Sequence, residues 1–552
     1  MPSNDSYCFC FRQQRIGNMH RIWLYIFLVT VERNICVRSE VFTSIAHIIQ
    51  LLDTEIELAK QLKIYLKNEH VRLVHIEKFL SVINNELSQA RGKEEQYFSN
   101  PINVYLFFKH LTTEWYHIKD MPSPDIRTII DKNWLFPSLE DLTGTGISLL
   151  RLQNTYQITT SQMANGEIDL KFRSQKLTSD ECYHIGRVAY INNDFYYALM
   201  WMQEALDRFD EKNKRALISR IDILDHLSNE GNIENALALT QEMLAIDPNH
   251  VPAKANKVYY ESLINGQTLS KDQKKDSLAS SEKIGSSSKK NFRVRKQRQN
   301  NYLELSEVYK ALCRQNRAKL SHKRQAKLFC RYRHNNHPYL ILRPVKEEQL
   351  FDEPTILLFH DVVSDTDIEQ IKVLATPQLR RALIANATTN TGTPVDYRVS
   401  KSAWLNDRVS PAVARLSRLI GAVTNLTMET AEDLQVLNYG VGGYYQPHAD
   451  FFQVLKNGGS KLKNGNRIAT WLTYMSDVEF GGATIFLAVD GHIVPKKRSA
   501  VFWYNMFASG EVDYRTAHAA CPVLIGNKWV ATKWIREHGQ EFRRPCSLDS
   551  ML

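Results

Sequence analysis

His448-Ala449-Asp450 sets an imidazole and a carboxylate two residues apart, directly after the segment NYGVGGYYQP. In an extended chain, residues i and i+2 point to the same side, so the two groups converge on one point. A second histidine from a later strand would complete a two-His-one-carboxylate triad, which leaves metal positions open to oxygen and a chelating cosubstrate. The downstream candidates are His492, His518 and His538. His518 is the best placed, because Lys528 follows ten residues later in KWVATKW. A cation there can hold the far carboxylate of a dicarboxylic acid whose near end chelates the metal. A lone HxD is mostly an ordinary surface or core pair. An HxD, a histidine seventy residues on and a strand lysine carry much more together.

Such residues need strands to hold them, and the C-terminal half supplies them. From Pro344 onward, short β-rich runs (TILLFHDVV, DLQVLNYG, RIATWLTYM, GGATIFLAV, SAVFWYNMF, KWVATKWI) alternate with Gly-rich turns. That cadence predicts an all-β sandwich or barrel, with helices over about Asp367–Ala375 and Pro411–Ile420 packed outside. The N-terminal half is helical. Ile45, Ile49, Leu52, Ile56 and Ala59, and then Leu73, Ile76, Leu80, Ile83 and Leu87, step by four and three. This is the seam of a coiled coil or helical hairpin, or equally the face of a helical bundle. Pro101 ends one element and 103–115 forms another. Between Thr178 and Ile264, Gly186, Ala198, Ala205 and Ala236 fall where tetratricopeptide-like helix pairs need small residues, and Asp247-Pro248-Asn249 is a matching stop. The stretch 265–300, rich in Ser and Lys and without period, reads as a basic low-complexity linker.

A chain of 552 residues exceeds one hydrophobic core, and 43% apolar with 24% charged residues is ordinary for a globular protein. The net charge of +10 comes with no nucleic-acid-reading motif, so no nucleic-acid partner is expected. Ile22–Val31 is too short to span a bilayer but suits the core of a signal peptide, so 1–39 reads as a leader, starting from Met1 or Met19. No membrane span is expected, and the secretory lumen is. Beyond the leader, Cys182, Cys313, Cys330, Cys521 and Cys546 remain. Nearness in sequence allows Cys313–Cys330 and Cys521–Cys546 pairs with Cys182 free, five free buried thiols being the alternative. Asn386 and Asn425 begin N-x-T glycosylation acceptors.

The stretches YRVSKSAWL, LQVLNYGVGGYYQPHAD, NRIATWLTYMSD, GGATIF, PKKRSAVFWYN, ASGEVDYRTAHAACPVLIGNKWV and GQEFRRPC closely resemble the collagen prolyl 4-hydroxylase α-subunit family. So do FTSIAHIIQLL, NPINVYLFFKHLTTEW, LTSDECYHIG, ALCR and KLFCRY upstream, and the likeness runs from about Phe42 to Cys546. The resemblance implies a helical dimerisation region over 40–150 and a tetratricopeptide-like peptide-substrate-binding domain over 178–264. It implies a double-stranded β-helix (jelly-roll) dioxygenase domain over 301–552, with its core at about 430–540. Carried over by position, His448, Asp450 and His518 would ligate Fe(II). Lys528, with Tyr439 and the position of Arg536, would bind 2-oxoglutarate, while Tyr259 and Asp225 would contact the peptide. The family also implies the disulfides Cys313–Cys330 and Cys521–Cys546. It implies O2 and L-ascorbate as further cofactors, and hydroxylation of proline in procollagen or other proline-rich chains. Protein disulfide isomerase is the implied β subunit of an α2β2 tetramer in the endoplasmic reticulum lumen.

Two departures from the family pattern matter. Arg536 stands where the family has a histidine eight residues after the lysine, and arginine is a larger, permanent cation. His226 and Asn229 stand where the peptide groove has two tyrosines, so weaker binding of polyproline-type chains is expected. Two alternatives follow: an active hydroxylase of non-collagen secretory proteins, and a degenerate scaffold subunit.

Overall fold

The structure is a computed structural model. It describes residues 45–115, 137–168, 173–210, 218–228, 233–265, 307–314, 321–385, 392–453 and 464–549. The expected leader, nearly all of the linker, Asn229 and Asn386 lie outside these. Among the described residues, no helix is long and apolar enough to cross a membrane. The chain divides into two compact units, one holding residues up to 91 and 113–136, the other 92–112 and 137–552.

The first unit is built on α1 (Ile45–Ala90), a single helix of 46 residues. Its sequence has no Gly or Pro to break it, so both stretches of seam share one rod and no hairpin forms within 45–87. Leu52, Ile56, Leu73, Leu80 and Leu87 are exposed along it, whereas Phe79 is buried edge-to-face against Trp115 at 5.6 Å.

The second unit begins with helices. Pro101 opens rather than closes α2 (Pro101–Lys109): it occupies the first turn, where a missing N–H costs nothing, and Asn100 caps the Ile102 amide. Ser138 and Asp141 cap α3 (Leu139–Tyr156) reciprocally. Then come α4 (Ser179–Ile191), α5 (Phe195–Asp207), α6 (Arg220–Ser228), α7 (Ile233–Ile246) and α8 (Val251–Ile264). Gly186 of α4 lies against Met202 of α5 so closely that a Cβ there would come within 3.0 Å of the methionine. The buried Trp201 indole donates to Gln153 at 2.9 Å, tying α5 to α3. One further helix, α9 (Glu307–Arg314), follows the linker.

The β domain packs two antiparallel sheets. The larger has nine strands in the order β1 (Cys330–Arg333), β2 (Val345–Phe351), β3 (Ile356–His360), β15 (Ala500–Tyr504), β11 (Arg467–Tyr474), β18 (Lys528–Arg536), β9 (Leu434–Tyr439), β8 (Lys401–Leu405) and β4 (Arg380–Arg381). The smaller runs β14 (Gly491–Ile493), β13 (Thr484–Phe486), β16 (His518–Ala520), β10 (Tyr444–His448), β7 (Arg398–Val399). Two short pairs complete it: β12 (Phe480–Gly481) with β17 (Val523–Ile525), and β5 (Leu383–Ala385) with β6 (Gly392–Pro394).

Alternation along the long strands sorts side chains onto two faces. Ala500 and Phe502, like Trp471 and Ala531, face a core built with α10 (Asp365–Ala375) and α11 (Pro411–Thr424). Val501, Trp503, Tyr474 and Val530 face the other way, and meet Phe486, Ile493 and Ala520 of the smaller sheet. Lys528 shares that inward parity with Val530. The expected sandwich and its outer helices are therefore present.

The cysteine pairing differs from the expectation. Cys313 bonds to Cys521, with Cα atoms 5.6 Å apart, while Cys330 and Cys546 are free and exposed and Cys182 is free and buried. The reason is spatial. Tyr309, Leu312 and Cys313 of α9 bury into a cluster with Tyr444, Ile485, Ala519 and Cys521. Cys330 leaves on the outermost strand, opposite Glu348, and Cys546 lies in the exposed tail. Nearness along the chain did not become nearness in space.

Candidate metal centre

His448 ends β10 and His518 opens β16, and these antiparallel neighbours set the two histidines directly opposite each other, their rings 4.4 Å apart. Asp450 follows two residues later. Its Oδ1 is 3.8 Å from His448 Nε2 and its Oδ2 is 3.7 Å from His518 Nε2. One ligand atom from each residue lies within 4.8 Å of the other two. His448 Nδ1 bonds to the Gln446 carbonyl at 2.8 Å and His518 Nδ1 to the Thr516 carbonyl at 3.1 Å. A carbonyl only accepts, so each Nδ1 carries the proton and each Nε2 presents a lone pair to the shared point. Burial, then the neighbouring His518, push His448 down to about 3. Burial alone would raise Asp450, but His518, His448 and Arg467 outweigh it and hold the carboxyl at about 2. Two imidazoles and a carboxylate suit a hard-to-borderline divalent cation such as Fe(II).

Further supports come from the sheet. Tyr445 stacks on His448 with centroids 3.6 Å apart, and Arg398 lies over the tyrosine ring at 4.7 Å. The Asp450 Oδ2 accepts from the Thr470 hydroxyl at 2.7 Å. At the same end, Glu432 receives Arg467 at 2.6 Å and Arg536 at 2.8 Å, and both guanidinium groups lie over the Phe452 ring, at 4.8 and 5.0 Å. Arg536 also donates to the Gly465 carbonyl at 2.8 Å. Its described contacts thus tie it to Glu432 and to the loop at 465.

Lys528 opens β18, opposite Tyr439. It is 2% exposed, and its Nζ donates to the Gly482 carbonyl at 2.6 Å. It also lies over the rings of Tyr439 and Tyr474, at 5.4 and 5.9 Å. Among the described residues no carboxylate pairs with it, and burial lowers its pKa to about 7. A buried ammonium without an acid is costly unless a ligand brings the charge. The structure therefore gathers His448, Asp450, His518, Tyr439 and Lys528 into one inter-sheet space. The site fits a metal at one end and an anion at the other.

The helical half backs the sheet that carries both histidines. Buried Arg151 of α3 donates to the Gly442 carbonyl at 2.8 Å and lies 4.2 Å over the Tyr444 ring. Gly442 is at φ +71, and a Cβ there would meet Ser148 at 2.6 Å, so both backbone and space require glycine. Tyr156 and Tyr309 donate to the carbonyls of Pro522 and Ala520, at 2.5 and 3.0 Å. No sequence signal marked these contacts, since they join residues hundreds of positions apart. In the helical half, His226 of α6 meets Tyr183 and Tyr190 edge-to-face, at 5.6 and 5.3 Å, and burial lowers its pKa. Tyr259 and Asp225 are half-buried nearby in sequence, Tyr259 against Tyr260 and Asp225 on α6. Asn425 is exposed at the end of α11.

Comparison with known proteins agrees with this organisation. Three family models match: the prolyl 4-hydroxylase alpha-subunit N-terminal region over residues 44–170, the prolyl 4-hydroxylase peptide-substrate-binding domain over 179–266, and the 2OG-Fe(II) oxygenase superfamily over 434–536. The human prolyl 4-hydroxylase subunit alpha-1 is 42% identical over 521 residues, covering 92% of this chain and 96% of that subunit. Subunit alpha-2 of Gallus gallus is 40% identical, covering 92% and 95%, and subunit alpha-2 of Caenorhabditis elegans 39%, covering 93% and 94%. The chain belongs to the family of prolyl 4-hydroxylase alpha subunits, 2-oxoglutarate- and Fe(II)-dependent dioxygenases.

Proposed function

We propose that this chain hydroxylates proline to 4-hydroxyproline in procollagen-like, proline-rich chains of the endoplasmic reticulum lumen. In this reading His448, Asp450 and His518 hold Fe(II), and Lys528 pairs with the far carboxylate of 2-oxoglutarate beside Tyr439. The observation that carries it is the buried Lys528, paired with no carboxylate among the described residues, in the same inter-sheet space as the triad. When bound, iron with its cosubstrate and O2 supplies the oxidising chemistry, and L-ascorbate would restore iron oxidised in unproductive turnovers. The chain's own residues do the rest. Two backbone carbonyls orient both imidazoles, the sheets bury the site, and Lys528 would hold the far carboxylate of the cosubstrate. An α2β2 assembly with protein disulfide isomerase rests on the family resemblance.

The experiment is succinate release from 2-oxoglutarate by the purified chain with its partner, with and without a proline-rich collagen-like peptide, alongside mass-spectrometric detection of 4-hydroxyproline. Peptide-dependent succinate with matching hydroxyproline supports the reading. No succinate under either condition refutes it. A second reading, an active hydroxylase of non-collagen secretory chains, draws on His226 packed edge-to-face with Tyr183 and Tyr190. Succinate release with other lumenal proline-rich chains but not with the collagen-like peptide would select it.

A further inference from the structure

Asp450 is not held by the histidines alone. Its Oδ2 accepts from Thr470 Oγ1 at 2.7 Å, Thr470 Oγ1 accepts from Asn505 Nδ2 at 2.9 Å, and Asn505 Oδ1 accepts from Trp503 Nε1 at 2.8 Å. Thr470, Asn505 and Trp503 are all fully buried. Every direction in this chain is forced. An indole nitrogen only donates, which assigns the Asn505 oxygen to Trp503 and its NH2 to Thr470. A hydroxyl has one proton, and with its oxygen already accepting, that proton goes to the carboxylate. Successive hydrogen bonds of one polarity in a buried setting reinforce one another. Thr470 comes from β11, and Trp503 and Asn505 from β15 and its end, two strands paired directly through Thr470 and Trp503.

We infer that the Trp503–Asn505–Thr470 relay is a positioning device that engages one lone pair of Asp450 Oδ2 from behind and so disposes the carboxylate to present Oδ1 to the metal. This deepens the proposed function and rests on it. A carboxylate restrained to one ligating oxygen takes up one position on the ion rather than two. The neighbouring position then stays open for the chelating cosubstrate. Without the relay the carboxylate can rotate about its terminal bond, and the triad loses its fixed third corner.

The test is Mn(II) binding by the full-length chain in its assembled form, read by electron paramagnetic resonance of free Mn(II), together with thermal melting of the metal-free protein. Thr470→Val keeps the shape and removes the hydroxyl, and should weaken Mn(II) by about 10–100-fold, the usual cost of losing a partner behind a metal ligand. Thr470→Ser keeps the hydroxyl and should stay close to wild type. Asn505→Leu should weaken Mn(II) less than Thr470→Val, and the double variant should bind no worse than Thr470→Val alone, because the asparagine acts through the threonine. Wild-type affinity in Thr470→Val overturns the inference. So does an equal loss in Thr470→Ser, or additive losses in the double variant. If the wild-type protein itself bound no more Mn(II) than His518→Ala, the metal-site reading would fail instead, which is a separate result.

Discussion

The two ends of the inter-sheet space are prepared in opposite ways. At the metal end each group already has a partner: His448 and His518 bond to backbone carbonyls, and Asp450 bonds to Thr470. At the other end Lys528 is buried with one carbonyl and two aromatic faces but, among the described residues, no acid. One end is rigid before anything binds. The other carries an unmet charge that makes binding of a dianion favourable and costs the empty protein stability. Precision of geometry and strength of capture are thus divided between them.

The largest expected effect is at the rigid end. Asp450→Ala or His518→Ala removes a corner of the triad, and metal content by elemental analysis should fall to background with no succinate formed. Retained stoichiometric iron would place the metal elsewhere.

Lys528→Met should show two effects of opposite sign. Affinity for 2-oxoglutarate drops by about 2–5 kcal/mol, the usual cost of truncating one member of a buried charged pair. The metal-free, cosubstrate-free protein melts at a higher temperature, because an unpaired buried cation has been replaced by a thioether. A variant that lost both affinity and stability would mean that Lys528 is an ordinary structural lysine.

The same residue predicts a pH dependence. Lys528 titrates near about 7 in the folded protein, against about 10.4 in an unfolded chain. Between those values the unfolded state holds the proton and the folded state does not. Stability of the empty protein therefore rises as pH climbs from about 7 to about 10.4, and levels off above. The difference between wild type and Lys528→Met in melting temperature across that range isolates the effect, and a flat difference would contradict it. Cosubstrate affinity should weaken over the same rise, since the pairing form is the protonated one.

The smallest expected effect tests how far the rigid end depends on the helices behind it. Arg151→Met removes the donor to Gly442 and the cation over Tyr444, a loss of about 1.5–3 kcal/mol for a hydrogen bond to a charged group. Amide exchange should quicken over 440–448 and stay unchanged around Lys528. Uniform acceleration would show a global rather than a local role.

Much of this was legible in the sequence. HxD spacing, the later histidine and the strand lysine located the site, because strand parity converts spacing into direction. Alternating apolar runs gave the sandwich. What stayed hidden depends on packing between distant segments. Thr470 and Asn505 read as unremarkable polar residues in apolar strands, and only the fold puts them behind Asp450. Arg536 reads as a lone cation in the sequence, and only the fold shows Glu432, 104 positions earlier, bonded to it. The cysteines mispaired for the same reason: distance along the chain says little once α9 packs beside β16.

The joint between helices and sheets also decides where this protein can be cut. Leu524 and Ile525 of β17 belong to the same apolar cluster as Leu149, Leu152 and Trp201, and Tyr156 closes on Pro522. A fragment beginning at the sandwich would bare that cluster and leave the turn after His518 without its cover. Homology borders and folding borders do not coincide here. Any minimal soluble oxygenase carved from this chain has to carry α3 with it, as a separately added peptide if not in the same polypeptide.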